Sequence, residues 1–555
     1  MTHHGSPYSI SKALRALLTE NLPAARTLQQ RRAFHDYFVT HLPSSSLSPD
    51  CQTPAHHRLP RNESSPHSGS TKRAAQVQQA SRDTTIVRIP IKSAKHHFGA
   101  GTSRGSRPYN EDTYQAGTIE LPAFAKRQPI SLSRRSQASA ADGEAARGES
   151  GDPQVFYFGV FDGHGGSECS EFLRERLHGY IEEAALLFGM ESSLQSGSSA
   201  DAGSLDSEGG VMGEMDAEDL QKSLVSTWRE TVGGYFKRFK PEYFPAVSNY
   251  GAAELPSTLN NSSIETVLSY AFLKADLDFI AAQASKHTES ASYASSMDDP
   301  VLADRPLNDN DLLFHPDKPA SQNLRARPRG SSPDLKAPIG GKKRFQGGST
   351  ASVALISTPT PVPFWNPATP STLIVAHVGD TRILLCRTSD GKAVPLTLNH
   401  HPSTPVEANR LRRFAATFIT DSFGEERMGG LANTRAFGDV GSKRMGVSAE
   451  PQITKTDLKP AEYSFAVLMS DGISGHLDDQ EIVDVVKEAK TPAQAAQDLV
   501  GYATEVSEDG DNATALVVRL GGWERRNEGG GGALGTKEQR DFRRQDANDP
   551  RSRRQ

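Results

Sequence analysis

The apolar positions of this 555-residue chain fall into two periods. Strand-length apolar runs stand at TTIVRIPI from Thr84, VFYFGVF over 155–161, ASVALIS, TLIVAHV, RILLCR, AVPLTL, SFAVLMSD and TALVVRL, and a further extended segment (DTYQAGTIE) follows Glu111. Runs of that length, rich in β-branched and aromatic residues and bounded by turn formers, predict strands. Asp390-Gly391 between RILLCR and AVPLTL predicts a hairpin. Other segments repeat every three or four residues. From about Ser167, residues Cys169, Phe172, Leu173, Leu177, Tyr180, Ile181 and Ala184 form one helical stripe. Leu220, Leu224, Trp228 and Val232 mark a second helix near 217–238. A third opens with a Ser262 to Glu265 capping box and runs through Val267, Leu268, Ala271, Phe272, Ala275 and Phe279. Helical patterns also cover 402–415, 478–489 and 492–506.

Between these elements lie polar segments that cannot build a core. Residues 1–83 read as a disordered arm, about 122–153, 190–216 and 285–345 as polar insertions, and 523–555, with its glycine run Gly529 to Gly532, as a disordered charged tail. One domain over 84–522 remains. Strands joined by hairpins, with helices in blocks, predict an α+β layered fold with antiparallel sheets. A doubly wound sheet fits less well, since no glycine-rich piece spells GxGxxG or a P-loop in strand-to-helix context. Within the arm, Lys12, Arg15, Arg26, Arg31 and Arg32 face the single acid Glu20, with Leu14, Leu17, Leu18 and Leu22 at roughly helical spacing. That is the character of an organelle transit peptide, the plainer reading being a short helix on the arm.

Composition narrows the function. Lys and Arg number 62 against 67 Asp and Glu, a net charge of −5, so no basic excess points to nucleic acid or an anionic membrane. Cys51, Cys169 and Cys386 form no CxxC pair, which excludes a disulfide scaffold and standard zinc fingers. No run of about 18 apolar residues predicts a membrane span. Aspartates instead mark the ends of buried-looking strands: Asp162 after FYFGVF, Asp380 after TLIVAHV, Asp471 after SFAVLMS, Asp511 before TALVVRL, and Glu111-Asp112 before DTYQAGTIE. Any one alone reads as a turn or capping residue. Together, carboxylates at the edge of an apolar core call for a bound cation, and an oxygen-only set with few His and no Cys points to Mg²⁺ or Mn²⁺. Two such ions would activate a water and clamp a phosphoryl group. His164, in DGHGG, is a candidate general acid, against the bland reading of a structural or exposed turn histidine. Arg107 is a candidate phosphate ligand, against that of a solvated surface arginine.

YFGVFDGHGG, GSTASVALI, HVGDTRILLC, NTRAFGD, LMSDGI and EDGDNATALVV, with RPYNED upstream, occur in the order and character of the metal-dependent serine/threonine phosphatases of type 2C, the PPM family. The resemblance covers about 84–522 and implies a four-layer αββα sandwich, two central antiparallel sheets flanked by helices, with a two-metal site at one end. It implies that Asp162 bridges both Mg²⁺ or Mn²⁺ ions and the Gly163 carbonyl binds one of them. Asp471 and Asp511 would bind the other, with Glu111 and Asp112 acting mainly through water. Arg107 would orient the phosphate, and His164 would protonate the Ser or Thr leaving oxygen after attack by the two-metal-activated water. Asp380 would take part in a third ion, but the family's further aspartate is replaced by Gly475, with Asp478 and Asp479 three and four residues on, so weak binding of any third ion is expected. The implied activity is hydrolysis of phosphoserine and phosphothreonine in proteins; a catalytically silent scaffold of the same fold and a small-metabolite phosphatase are the alternatives. GVFDGHGGSECSEFLRERLHGYI is somewhat similar to pyruvate dehydrogenase phosphatases, and fungal mitochondrial members are also similar. With the basic N-terminus this favours the mitochondrial matrix over the cytoplasm, pyruvate dehydrogenase as a partner, and a monomer.

Overall fold

The computed structural model of the chain describes residues 37–43, 84–90, 97–127, 152–194, 217–247, 262–286, 339–412, 418–420, 426–428, 432–507, 510–526 and 534–549. The proposed transit segment and most of the three polar insertions lie outside the described residues. Strand β1 (Tyr37–Pro43) pairs antiparallel with β2 (Thr84–Pro90) as a separate two-stranded ladder, so part of the arm expected to lack structure is extended.

Two antiparallel sheets form the body. The first holds β4 (Thr113–Ile119), β5 (Val155–His164), β6 (Gly348–Ser357), β7 (Ser371–Val378) and β13 (Gln452–Leu458) in the order β13-β7-β6-β5-β4, with β12 (Phe437–Gly438) on β6. The second runs β3-β15-β14-β8-β9, from β3 (Phe98–Ser103), β15 (Ala513–Arg519), β14 (Tyr463–Met469), β8 (Arg382–Arg387) and β9 (Ala393–Pro395). A two-stranded ribbon, β10 (Phe418–Thr420) with β11 (Glu426–Met428), stands apart.

Strand side chains alternate between faces, and here both faces are covered, which explains runs that are apolar throughout. Phe156, Phe158, Val160, Ile356 and Val375 pack inward against Ile383, Leu385, Leu468, Leu516 and Val518 of the other sheet. Their neighbours Val155, Tyr157, Phe161, Val353 and Leu355 face outward onto α1 (Glu168–Leu187) and α3 (Ile264–Ser285), with α2 (Ala217–Thr231) beside them. On the far side, Leu384, Phe465, Val467, Ala515 and Val517 meet α6 (Asp479–Glu488) and α7 (Pro492–Val506). The layers are helix, sheet, sheet, helix, as the resemblance implied.

Three local expectations are corrected. The helix near 217–238 stops at Thr231, because Gly233 and Gly234 take positive φ (68° and 56°) before a 3-10 turn, Gly234–Arg238. The cap of α3 is Ser263, whose hydroxyl accepts from the Thr266 N–H at 3.2 Å, while Ser262 donates to the Phe188 carbonyl. The tail expected to be disordered contains a buried Trp523 and helix α8 (Leu534–Asn548). Ion pairs rather than an apolar stripe hold α8: Arg540 to Glu488 at 2.8 Å and Arg543 to Glu481 at 2.8 Å. Among the described residues, no helix is long and apolar enough to cross a membrane.

Candidate active site

Register brings the acidic strand ends together. Met469 at the end of β14 lies opposite Ala515 near the start of β15 and Arg382 at the start of β8. In the other sheet Phe161 pairs with Thr113, Asp162 with Thr350, and Ala351 with Val378. One end of the sandwich therefore collects the last residues of β5, β7 and β14 with the first of β4, β8 and β15. These are the positions of Asp162, Asp380, Asp471, Asp112 and Asp511.

Carboxylate oxygens of Asp162, Asp380 and Asp471 lie within 4.8 Å of one another. Asp471 opens α5 (Asp471–Ser474), and its N–H donates to Asp162 Oδ2 at 3.3 Å. Asp112, 6% exposed, accepts from the Ser470 hydroxyl at 2.7 Å through Oδ2, while its buried Oδ1 has no hydrogen-bond partner among the described residues. Glu111 is placed through its backbone: its N–H donates to Asn512 Oδ1 at 2.8 Å and its carbonyl accepts from the Ser170 hydroxyl at 2.5 Å. That contact runs close beneath Gly163, where a Cβ would stand 2.5 Å from the Glu111 carbonyl oxygen, so only glycine fits. Asp511 sits at the rim, paired with the exposed Arg107 at 3.2 Å.

Electrostatically the cluster is unsatisfied. Burial pushes the Asp162 carboxyl well above its ordinary value, and repulsion from Asp471, Asp112 and Asp380 adds to it. Burial, then Asp380 and Asp511, push Asp471 up to about 8. Asp112 rises to about 6 through burial, despite hydrogen bonds to its carboxylate. Like charges that resist ionisation beside an orphaned buried oxygen, with oxygen the only donor, fit a hard divalent cation. Asp162, Asp380, Asp471 and Asp112 are the residues that would hold it.

His164, at the end of β5, places Nε2 2.9 and 3.0 Å from the two oxygens of Asp439. Burial disfavours its charged form, but Asp439, with smaller help from Asp380 and Glu111, prevails and raises the pKa to about 9. The ring is poised to carry a proton at neutral pH.

Sequence reasoning missed three residues of this site. Asp439 and Asn433, whose amide donates to Asp380 Oδ2 at 2.7 Å, both lie in NTRAFGD, quoted above without a role. Asn512, beside Asp511, also ties down the Arg104 and Tyr109 carbonyls. Asp479 does not replace the carboxylate absent at Gly475, because it is engaged by Arg382 through two bonds of 2.6 Å.

Comparison with known proteins decides the family. Protein phosphatase 2C homolog 4 of Schizosaccharomyces pombe is 30% identical over 447 residues, covering 79% of this chain and 84% of its own length. The chain belongs to the protein phosphatase 2C family. The family's sequence profile, described as Protein phosphatase 2C, matches residues 263–510. Protein phosphatase 1K, mitochondrial, of Xenopus laevis is 40% identical over 152 residues, 27% of this chain and 40% of that one. Among solved structures, the serine-threonine phosphatase 2C from Toxoplasma gondii aligns over 76% of this chain and 94% of its own at 15% identity, with a TM-score of 0.39. Arg107, Glu111, Asp112, Asp162 and His164 precede the profile match, and Asp511 follows it.

Proposed function

We propose that this protein phosphatase 2C member hydrolyses phosphoserine and phosphothreonine in proteins and depends on two Mg²⁺ or Mn²⁺ ions. The observation that supports it most is the mutually repelling triad Asp162, Asp380 and Asp471, beside an Asp112 Oδ1 that has no hydrogen-bond partner among the described residues. When bound, the ions supply a nucleophilic water at neutral pH and neutralise the phosphate's charge. The chain's own side chains do the rest. Arg107, half exposed and paired with Asp511 at the rim, can swing to orient a phosphate. His164 is a proton donor for the leaving alkoxide of Ser or Thr. Gly163 offers its carbonyl, and Asp511 and Glu111 supply further oxygens at the edge.

Release of inorganic phosphate from a phosphothreonine peptide tests this reading: it should require Mn²⁺ or Mg²⁺, cease in EDTA and vanish in Asp471→Ala. A folded protein inactive with both ions would favour the scaffold reading, and one active only on small phosphomonoesters the metabolite reading. We further propose the mitochondrial matrix as its compartment, from the basic segment 1–35 and the mitochondrial relative, with pyruvate dehydrogenase as a candidate phosphoprotein and a monomeric enzyme. A fluorescent fusion of residues 1–60 should enter mitochondria; cytosolic fluorescence would overturn that assignment.

A further inference from the structure

We infer that Asp439 is the positioning residue for His164, fixing which imidazole nitrogen delivers the proton. The inference rests on the reading of His164 as general acid. A carboxylate only accepts, so Nε2 must donate to it, and the two contacts at 2.9 and 3.0 Å make a bifurcated grip on one N–H. Nδ1 is left to reach a leaving oxygen, on a side chain that is 40% exposed, whereas Asp439 is 7% exposed.

The surroundings hold Asp439 in place by other means than its own side chain. Its backbone has φ +43°, a conformation costly for a non-glycine residue and kept only where neighbours enforce it. Its N–H donates to the Gly347 carbonyl at 3.0 Å. A Cβ at Gly348 would lie 2.6 Å from Asp439 Oδ2, so that glycine makes room for the carboxylate. The preceding residue, Gly438, donates its N–H to Asp276 Oδ1 at 2.9 Å, and Asp276 is in turn paired with the wholly buried Lys443 at 2.5 Å. Lys443 also donates to the Ala436 carbonyl at 2.7 Å. A buried ion pair in the helical layer thus fixes the loop that fixes the histidine, an arrangement suited to holding a ring in one orientation.

The test compares Asp439→Asn with His164→Ala on a phosphothreonine peptide and on p-nitrophenyl phosphate, whose phenolate leaves without a proton. Asp439→Asn should lower kcat on the peptide by about 10² to 10³, change it little on p-nitrophenyl phosphate, and leave the Mn²⁺ midpoint unmoved. Adding His164→Ala to it should cost little more on the peptide, since both changes disable one device. Asp439→Glu, which keeps the carboxylate, should recover part of the peptide rate. If His164→Ala shows this substrate dependence and Asp439→Asn does not, Asp439 has no such role while the general-acid reading stands. If His164→Ala slows both substrates alike, the general-acid reading fails and the inference with it. Equal losses on both substrates in Asp439→Asn, or a displaced Mn²⁺ midpoint, also overturn it. Should the variants fail to fold, the unmodified full chain still decides: ¹⁵N-histidine spectra should show a slowly exchanging Nε2–H for His164, and a rapidly exchanging one contradicts the assignment.

Discussion

Two groups of acids in this molecule, one buried and one partly buried, are treated in opposite ways. Around Glu407, on α4 (Pro405–Arg412), every charge is answered: Arg410 donates twice to Oε2 at 2.7 and 3.0 Å, and Arg435 twice to Oε1 at 2.7 and 3.0 Å. Burial alone would push the Glu407 carboxyl up, but the two guanidinium groups overcome it and hold the carboxyl well below the ordinary range. At the end of the sandwich, Asp162, Asp380 and Asp471 crowd together, and Asp162 and Asp471 are pushed up instead. Glu407 is neutralised by the chain itself, whereas on the proposed reading the cluster is left for a ligand to neutralise, at a cost to the ligand-free fold.

The largest expected effect separates the two groups by sign. Asp471→Asn should abolish phosphate release yet stabilise the metal-free protein, because one repelling charge is gone; about 1 kcal/mol would raise the melting temperature by roughly 1 °C at this chain length. A metal-free Asp471→Asn that melts below the parent would break the comparison. Glu407→Gln should do the reverse. It leaves Arg410 and Arg435 short of charge in the interior and should cost about 3 kcal/mol in urea unfolding. A loss under about 0.5 kcal/mol would mean that the pairing of Glu407 with Arg410 and Arg435 does not stabilise the fold.

Gly475 sharpens the account of the ions. Its φ of −73° suits any residue, though a Cβ would stand 2.8 Å from the Asp471 carbonyl oxygen and require the backbone there to move. Gly475→Ala therefore serves as control for Gly475→Asp. The aspartate, but not the alanine, should lower the Mn²⁺ concentration for half-maximal activity several-fold; superimposable curves for the two variants would exclude position 475 from the metal site.

The smallest effect concerns acid. Burial lowers His178 to about 4 and His377 to about 3, so both stay neutral in the fold. Their folded pKa values lie below the unfolded value of about 6.5, and the stability they contribute is full above that pH and lost as pH falls toward 4 and 3. Melting temperature measured on the Mn²⁺-loaded protein should fall between pH 7 and 5, and His178→Gln should flatten part of that slope. An unchanged slope would show that His178 is not buried neutral.

Much of this was legible in the chain because strands announce themselves locally. VFYFGVF, SFAVLMS and TALVVRL each carry their period and an adjacent aspartate, and antiparallel register does the rest. What the chain concealed are pairings between distant residues: His164 with Asp439, Asn433 with Asp380, Glu407 with Arg435. No periodicity encodes a contact across 275 positions, and a lone acid or arginine in a loop reads as solvated until its partner is seen. Helix α8 was missed for a related reason, since ion pairs to α6 hold it rather than an apolar stripe.

Calorimetric titration of the metal-stripped, full-length chain with Mn²⁺, beside the same titration of Asp162→Asn, tests the central claim most directly. Two ions per chain should bind the parent, and Asp162→Asn should lose or greatly weaken both. No binding to the parent, or identical isotherms from the two proteins, would contradict the reading of these carboxylates as a cation site.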